Sequence, residues 1–315
     1  MTAAAGAAKP LSPITLNVFP GGFNWPSFAA LDKGLFAANG LEVTLQATTN
    51  SVAQMTGLAN GAFDIAMTAI DNVVAYVEGQ GEVPVTGQPD LIAFMGGDNG
   101  FLSLVTAPEV KSYGDLKGRT LSVDAMTTGY AFVLLDLLDR AGLKRDDYKV
   151  EKAGGVLARW EALRTHKQDG TMLITPFDIL AKSAGFNVLQ YAIDVYGHYQ
   201  GLVGAARRAY ARDNGPKIEG YIRGFATAVD WLAQPENKAD AIAILRKNLP
   251  QMSPELAEET YAVLAGPKGF SAKAAIDLEG IKTVLTLRSR YGQPKIELHD
   301  PMKYYDGSYY EAAMK

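Results

Sequence analysis

Cysteine is absent from the 315-residue sequence, and histidine occurs only three times. Without cysteine the chain has no disulfides, no thiolate metal sites and no cysteine nucleophile. His166, His198 and His299 form no pair at a spacing of four residues, and none has a carboxylate at metal-ligand spacing. We therefore expect no metal site and no metal or redox cofactor.

Long apolar runs and blocks of basic residues are also missing. Polar residues interrupt every apolar stretch before the roughly 18 residues that span a bilayer. The formal net charge of −4 comes from interspersed acidic and basic residues. No basic block is available to neutralise phosphates, so we do not expect nucleic acid as a partner.

The first thirteen residues are rich in alanine and contain two prolines, but lack the basic start and apolar stretch of a signal peptide. We expect residues 1–13 to be a flexible segment. A signal peptide already removed would leave the same sequence, and a cytoplasmic protein with a loose amino terminus is the alternative.

Several enzyme motifs are missing as well. The sequence contains no Gly-x-Ser-x-Gly elbow, no phosphate-binding P-loop and no complete dinucleotide-binding glycine pattern. The glycines at 21 and 22 precede a helix but lack the third glycine at the required spacing. We therefore expect a protein that is not an enzyme.

What is present is an alternation of short β-type runs and helical stretches, with 48% apolar residues over a length that suits about two domains. The predicted strands are residues 14–20, 41–45, 63–68, 101–106, 120–123, 148–152, 171–174, 187–192 and 202–206. The predicted helices are residues 26–39, 52–60, 71–77, 129–141, 156–166, a stretch from 177, 218–232, 238–248, 254–264 and 272–291. This alternation predicts a parallel sheet with helices on both faces in each of two lobes.

Four segments resemble one family of binding proteins. LDKGLFAANGLEVTL (31–45), SVAQMTGLANGAFDIAMT (51–68), LKGRTLSVDAMTTGYAF (116–132) and ARWEALRTHKQDGTMLITPFDILAKSAGFNVL (158–189) occur in the order and spacing of that family. They are similar to periplasmic proteins for sulfonates, taurine, nitrate and thiamine-pyrimidine precursors, in the NMT1/THI5-like superfamily. Residues 166–171, HKQDGT, depart from the usual Gly-x-Val-Asp-Ala, so ligand identity does not carry over.

The resemblance implies an α/β type II periplasmic-binding-protein fold, with two α/β lobes joined by a two-crossing hinge. Lobe 1 is expected at 14–99 and 205–315, and lobe 2 at 100–204, with the ligand cleft between them and hinge crossings near 100–105 and 201–206.

The implied function is the solute-binding component of an ABC-type importer. It would capture a small organic ligand, such as a carboxylate, a sulfonate or a small aromatic or heteroaromatic compound, by hinge closure. The expected setting is a monomer in the periplasm that contacts an inner-membrane ABC permease transiently. Alternatives are an enzyme of the menaquinone- or thiamine-precursor type on the same fold, although THI5-type enzymes need a cysteine-containing segment, and a ligand-sensing partner of a membrane receptor.

Candidate ligand-binding residues follow from the rule that open α/β sheets bind ligands at the carboxyl ends of their strands. The loops after the predicted strands, with Arg159 from the family motif, supply Phe23, Asn24, Trp25, Asn50, Ser51, Thr68, Asp71, Met126, Thr127, Thr128, Gly129, Tyr130, Arg159, Thr175, Phe177, Tyr196 and His198.

Each candidate has a ligand-binding and a structural interpretation. Phe23 and Trp25 would stack on a ligand or fill the core, and Asn24 would donate to a carboxylate or cap a helix. The helix start at 127–130 would receive an anionic head group through its free N–H groups, or simply be capped. Arg159 would pair with a carboxylate or sulfonate, or tie two helices together. Asp71 would bind an amine or cap a helix.

Overall fold

The computed structural model describes residues 10–85, 87 and 89–315, so most of the predicted flexible segment 1–13 lies outside the described residues. The described strands are β1 (Ser12–Val18), β2 (Leu41–Ala47), β3 (Ile65–Ala69), β4 (Leu91–Gly96), β5 (Leu102–Thr106), β6 (Thr120–Val123), β7 (Lys149–Lys152), β8 (Gly170–Ile174), β9 (Asn187–Tyr191) and β10 (Leu202–Arg207).

The described α-helices are α1 (Trp25–Asp32), α2 (Leu35–Ala38), α3 (Ser51–Asn60), α4 (Ile70–Val77), α5 (Gly129–Arg140), α6 (Val156–Arg164), α7 (Phe177–Ser183), α8 (Ala192–Tyr196), α9 (Arg208–Asp213), α10 (Gly215–Leu232), α11 (Lys238–Asn248), α12 (Pro254–Leu264), α13 (Leu278–Tyr291) and α14 (Ser308–Ala313). Among them, no helix has both the length and the apolar character that crossing a membrane requires.

The strands form two five-stranded sheets, in the orders β2-β1-β3-β10-β4 and β7-β6-β8-β5-β9. In each sheet the first three strands are parallel, and the fourth, β10 or β5, runs antiparallel to both of its neighbours. The expectation of purely parallel sheets is therefore corrected to mixed sheets. The antiparallel strand is in each case the one that follows a crossing from the other sheet, so it starts at the edge where the parallel strands end.

The strands of one sheet lie within residues 12–96 and 202–207, and those of the other sheet lie within residues 102–191. We therefore propose that the described parts of 12–96 and 202–315 form lobe 1, and that 102–196 form lobe 2. The segments 97–101 and 197–201 cross between them. Because both crossings run from one cleft-facing sheet edge to the other, the carboxyl ends of the parallel strands in the two lobes face each other.

Several elements differ from the sequence prediction, among them the short helices α8, α9 and α14, which were not predicted. Strand β4 was not predicted: its six residues LIAFMG are all buried, and a continuous apolar run carries no alternation to mark a strand. The helix predicted at 26–39 is two helices, α1 and α2, because Gly34 between them is left-handed with φ of 67°. The helix predicted at 272–291 begins only at Leu278, after a turn in which Lys273 and Ala274 have positive φ.

Asp98 ties the two crossings together. Its Oδ1 accepts hydrogen bonds from Gly100 N at 2.7 Å, in the first crossing, and from Leu202 N at 2.9 Å, at the end of the second. A Cβ on Gly201 would lie 2.1 Å from Gly100 N, so only glycine allows the crossings to approach this closely. Burial raises the pKa of the Asp98 carboxyl to about 6, against the opposing effect of the two N–H donors.

This raised pKa predicts how Asp98 contributes to stability with pH. The folded state holds the Asp98 proton up to about pH 6, whereas the unfolded chain releases it near pH 4. The contribution is therefore full below about pH 4 and is lost as pH rises through about 6. We expect Asp98→Asn, which keeps an acceptor oxygen, to stabilise the protein more at pH 7.5 than at pH 5, by about 1 kcal/mol, because roughly one pH unit of the interval between the unfolded and folded pKa lies above pH 5. Urea unfolding of both proteins at both pH values measures this difference, and an equal effect at both pH values would contradict it.

Candidate functional site

A cavity of about 60 Å³ lies between the two lobes, where strands of both sheets end. Its lobe 1 lining is Phe19, Phe23, Ala69, Asn72 and Leu202, and its lobe 2 lining is Asp124, Thr128, Gly129, Tyr130, Val156, Arg159 and Ile174. An outer groove of about 250 Å³ adjoins it and shares Phe19 and Val156 with it. The cavity leaves space for a small compound between the lobes, with largely apolar and aromatic walls.

Lobe 1 supplies mainly the aromatic wall. Phe19 directly follows β1, and the turn after it is held by Asn24, whose Nδ2 donates to Phe19 O at 2.6 Å and to Gly21 O at 3.1 Å. Asn72, on the first turn of α4, donates its Nδ2 to Thr68 Oγ1 at 3.0 Å. The short β1 and β3 ends thereby place a ring and an amide at the same sheet edge.

Lobe 2 supplies a buried cation, Arg159 on α6. Its guanidinium donates to Met172 O from both Nε and Nη2 at 3.2 Å, and to Gly154 O from Nη1 at 2.9 Å. All three bonds go to neutral carbonyl groups. Burial lowers the pKa of Arg159, although nearby Asp124 favours its charged form. With five N–H donors, Arg159 keeps hydrogen-bonding capacity beyond these bonds.

Asp124 directly follows β6 and lines the same cavity. Its Oδ2 accepts a hydrogen bond from Ser51 N of lobe 1 at 3.0 Å. Its Oδ1 is buried and has no hydrogen-bond partner among the described residues. A buried carboxylate oxygen without a donor is costly, so Asp124 presents an acceptor that a ligand can satisfy.

The start of α5 is already bound by a carboxylate of the protein itself. Gly129 N donates to Asp71 Oδ2 at 2.5 Å, across the cleft from lobe 1. Asp71 in turn pairs with Arg288 on α13 through two hydrogen bonds of 2.7 Å, and the two side chains are 2% and 0% exposed. In the described arrangement Asp71 occupies this helix start, so the expectation that it receives the anionic group of a ligand is not supported there and stays a prediction.

Arg288 also binds the turn before α5, through a backbone carbonyl group of that turn. Its Nη2 donates to Thr127 O at 2.6 Å, its Nη1 donates to Gln80 Oε1 at 3.1 Å, and its guanidinium lies 4.8 Å from the centre of the Phe132 ring. The Asp71 carboxylate bonds the Gly129 N–H and the Arg288 guanidinium bonds the Thr127 carbonyl, so together they hold residues 127–129 of lobe 2 against lobe 1.

Further polar contacts close the cleft around this pair. Glu82 of lobe 1 accepts from Thr127 Oγ1 at 3.1 Å and pairs with Lys152 of lobe 2. On the other side of α5, Asp136 accepts from Arg290 Nη1 at 2.9 Å and from the Tyr291 hydroxyl at 3.2 Å. The structure thus describes the lobes in a closed arrangement.

Of the residues predicted from the sequence, five line the cavity: Phe23, Thr128, Gly129, Tyr130 and Arg159. Their contact with a ligand stays a prediction. The Thr128 hydroxyl donates to Ala125 O at 3.0 Å, so it already has a partner within the turn that precedes α5. Burial raises the pKa of the Tyr130 hydroxyl, which therefore stays protonated and can donate.

Trp25 requires a correction. It is fully buried in lobe 1, where its Nε1 donates to Ala241 O at 3.0 Å and its ring meets Tyr261 edge-on at 5.9 Å between centroids. The ring joins α1 to α11 and α12 and does not line the cavity. The expected stacking of Trp25 on a ligand is wrong because its side chain is directed into the core.

The other predicted residues of lobe 1 also have structural partners. Asn24 holds the turn at 19–21 through its side-chain amide, so it neither caps α1 nor lines the cavity. Asn50 caps α3 by accepting from Ala53 N at 2.8 Å, and Ser51 gives its N–H to Asp124. Thr68 is buried and accepts from Asn72. None of these side chains lines the described cavity.

In lobe 2, Met126 packs on the largest hydrophobic cluster and Phe177 on the cluster that contains Phe23 and Trp160. Thr127 bonds Glu82, and buried Thr175 hydrogen-bonds Asp178. The Tyr196 hydroxyl donates to Asp136 at 2.9 Å, and His198 Nδ1 lies 2.9 Å from Asp277. These residues lie outside the cavity lining, so their contact with a ligand stays a prediction that the described cavity does not support.

Seven lining residues were missing from the prediction: Phe19, Ala69, Asn72, Asp124, Val156, Ile174 and Leu202. The strand-end rule included Ala69 and Asp124 in the loops 68–71 and 124–130, although neither was selected as a candidate, and it missed Phe19 because the predicted strand 14–20 extends past Val18, where β1 ends. Arg288, the partner of Asp71, is 217 residues away along the chain, and no sequence pattern signals that pairing. Among the described residues, no group of three or more His, Asp or Glu side chains is arranged to hold a metal ion.

The buried pair predicts a large stability effect. Arg288→Met leaves the Asp71 carboxylate buried without its guanidinium, so we expect the free energy of unfolding to fall by about 3–5 kcal/mol. Lys282→Met, on the same helix, removes an exposed pair with Glu279 and should cost at most about 1 kcal/mol. Urea denaturation of the two variants makes the comparison, and equal losses would refute the importance of the buried pair.

Comparisons with known proteins agree with this architecture. Binding proteins of Brucella abortus and Brucella suis are 32% identical to the chain over 126 residues, which is 39% of this chain and 35% of each relative. The match therefore spans only about a third of the length of these curated relatives.

Solved structures of low sequence identity share the fold. The alkanesulfonate-binding protein of Xanthomonas axonopodis pv. citri bound to MOPS is 16% identical, with a TM-score of 0.72 over 90% of this chain and 93% of that one. The periplasmic nitrate-binding protein of Synechocystis PCC 6803 is 12% identical, with a TM-score of 0.77 over 96% and 88%. A Candida albicans protein described as having the generic periplasmic binding protein fold is 15% identical, with a TM-score of 0.71 over 94% and 97%.

The predicted periplasmic-binding-protein fold of two α/β lobes is confirmed by these likenesses. The NMT1/THI5-like family model matches residues 24–239, which is about two thirds of the sequence. The chain belongs to the NMT1/THI5-like family.

Proposed function

We propose that this protein is the solute-binding component of an ABC-type importer, and that it captures a small organic ligand between its two lobes. The observation that carries the proposal is the cavity at facing strand ends of both lobes, which two crossings join in the described part of the chain. Structural neighbours whose names describe sulfonate and nitrate binding support the same function.

The lining chemistry favours binding over catalysis. Among the described lining residues, Asp124 is the only carboxylate, and there is no histidine or serine that would form a nucleophile and base pair. Hydrogen-bonding groups surrounded by aromatic and aliphatic walls are typical of sites that hold a compound without changing it. The protein is therefore proposed to bind and release its ligand unchanged.

Closure is proposed to follow a population shift. A ligand that touches both Phe23 of lobe 1 and Arg159 of lobe 2 does so only when the lobes are closed, so its binding energy favours that state. The closed form is what a permease in the inner membrane would recognise. Periplasmic location, a transient contact with that permease and a monomeric state belong to this proposal.

Ligand binding is tested first by thermal-shift screening of the purified chain. We expect a small organic compound with a Kd of about 1 μM to raise the melting temperature, because binding to the folded state alone stabilises it by mass action, by about 2.7 kcal/mol at a hundredfold excess over Kd. The screen contains amides, amino acids, carboxylates, alkanesulfonates, heteroaromatic compounds and nitrate. No stabilisation by any of them would count against the proposal.

Closure is tested by one methyl group. A Cβ on Gly129 would lie 2.4 Å from Asp71 Cγ across the cleft, so Gly129→Ala should hold the lobes apart. We expect at least a tenfold weaker affinity for the best compound of the screen, at least about 1.4 kcal/mol, and a larger radius of gyration in X-ray scattering than the ligand-saturated wild type.

Gly114→Ala is the matched control, because its added Cβ meets only Ser112 Oγ at 3.6 Å, an ordinary contact on the surface of lobe 2. It should bind as the wild type does. Wild-type affinity in Gly129→Ala would show that binding does not need the closed contact described here.

A further inference from the structure

We propose that the ligand is a small compound without net charge that carries an N–H donor near an oxygen acceptor, a zwitterion or an amide, and that Asp124 selects it against simple anions. This inference rests on the proposed binding function and specifies the chemistry of the same cavity. It combines an unpartnered carboxylate oxygen, an arginine with only neutral partners, and an occupied helix start.

The donor requirement comes from Asp124. One of its oxygens is bonded to Ser51 N, whereas Oδ1 is buried with no donor among the described residues. A ligand N–H provides the missing hydrogen bond, and hydrogen bonds to a charged group are stronger than those between neutral groups. A carboxylate or sulfonate placed there would instead face a second negative charge.

The acceptor requirement comes from Arg159. Its three described hydrogen bonds all go to backbone carbonyl oxygens, and no carboxylate in the described part of the chain forms a salt bridge with its guanidinium. A ligand oxygen accepts from the remaining N–H groups. Because Asp124 and Arg159 carry opposite charges, they balance each other, and a ligand of zero net charge preserves that balance.

The start of α5, where free N–H groups would favour an anion, is already occupied. The start of α5 gives its Gly129 N–H to Asp71, whose charge is matched by buried Arg288. An anionic ligand would have to displace a bidentate buried ion pair before it reached the helix. The protein has therefore supplied its own anion at this position, and the ligand does not need to carry one.

The volume limits the size. A buried water needs about 10–15 Å³ of cavity volume, so a cavity of about 60 Å³ holds about four waters. In this closed form the ligand therefore has about four to six non-hydrogen atoms enclosed by the cavity. A longer compound would extend past Phe19 and Val156 into the adjoining groove.

Matched pairs of probes test this chemistry by calorimetric titration. β-Alanine is compared with propionate, and acetamide with acetate, because each pair differs in the N–H donor. Ethanesulfonate and nitrate are the purely anionic probes. We expect at least tenfold tighter binding of the donor-bearing member of at least one pair, and loss of that preference in Asp124→Asn.

Asp178→Asn is the matched control. Asp178 is also a buried aspartate of lobe 2 with an unpartnered Oδ1, but it does not line the cavity. It should keep the wild-type preference. Circular dichroism and melting temperature establish that both variants are folded before the titrations are compared.

The outcomes separate this inference from the proposed function. Equal or tighter binding of propionate, acetate, ethanesulfonate or nitrate overturns the inference and leaves solute binding intact. A preference that survives in Asp124→Asn, or disappears equally in Asp178→Asn, overturns the role of Asp124. If only a larger compound of the screen binds and it has no N–H donor, the inference is overturned. If that compound has an N–H donor, it is titrated against Asp124→Asn and Asp178→Asn, and the same criteria apply. If no compound binds, the proposed function fails, and the inference with it.

Discussion

The closed arrangement depends on one buried ion pair, Asp71 with Arg288. Both side chains are almost completely removed from solvent and belong to lobe 1, yet each reaches lobe 2, the carboxylate at Gly129 N and the guanidinium at Thr127 O. Moving two charges out of water costs several kcal/mol per ion, which only good geometry and additional hydrogen bonds offset. Lobe 2 supplies part of those hydrogen bonds, so the pair is best satisfied when the cleft is closed. Like a ligand, the ion pair contacts both lobes and thereby favours the closed arrangement.

Glycines allow the two lobes to meet at this distance. Gly129 lies against Asp71, Gly155 lies against Thr49 O, and Gly22 lies against Pro176. Added Cβ atoms at these positions would fall 2.4, 2.7 and 3.0 Å from the nearest atom across the cleft. Backbone therefore contacts backbone or a short side chain at three points around the cavity. Such contacts tolerate almost no added volume, so they define one closed geometry, whereas longer side chains would permit several.

The cavity at the centre combines two opposite charges that do not bond to each other. Asp124 directly follows β6 and Arg159 lies on α6, both in lobe 2, and the aromatic side chains of Phe19, Phe23 and Tyr130 line the same cavity. In apolar surroundings, hydrogen bonds to charged groups are stronger than in water, and unpaired polar atoms are more costly. Selectivity in this site is therefore expected to follow the pattern of donors and acceptors more than total charge.

The sequence by itself determined the two-lobed α/β architecture and most of its elements, because helical periodicity, short apolar runs and glycine stops are local signals. Strand ends also pointed to the segments that bring Phe23 and Tyr130 to the cavity, and the family motif pointed to Arg159. The tertiary structure decided which side chains face the cleft: Trp25 follows the same strand end as Phe23, but its indole is taken up by Ala241 and Tyr261 in the core. It also decided that Asp71 fills the start of α5, since its partner Arg288 is 217 residues distant in sequence. Long-range charge pairing and side-chain direction depend on how the elements pack, and no local pattern of residues encodes them.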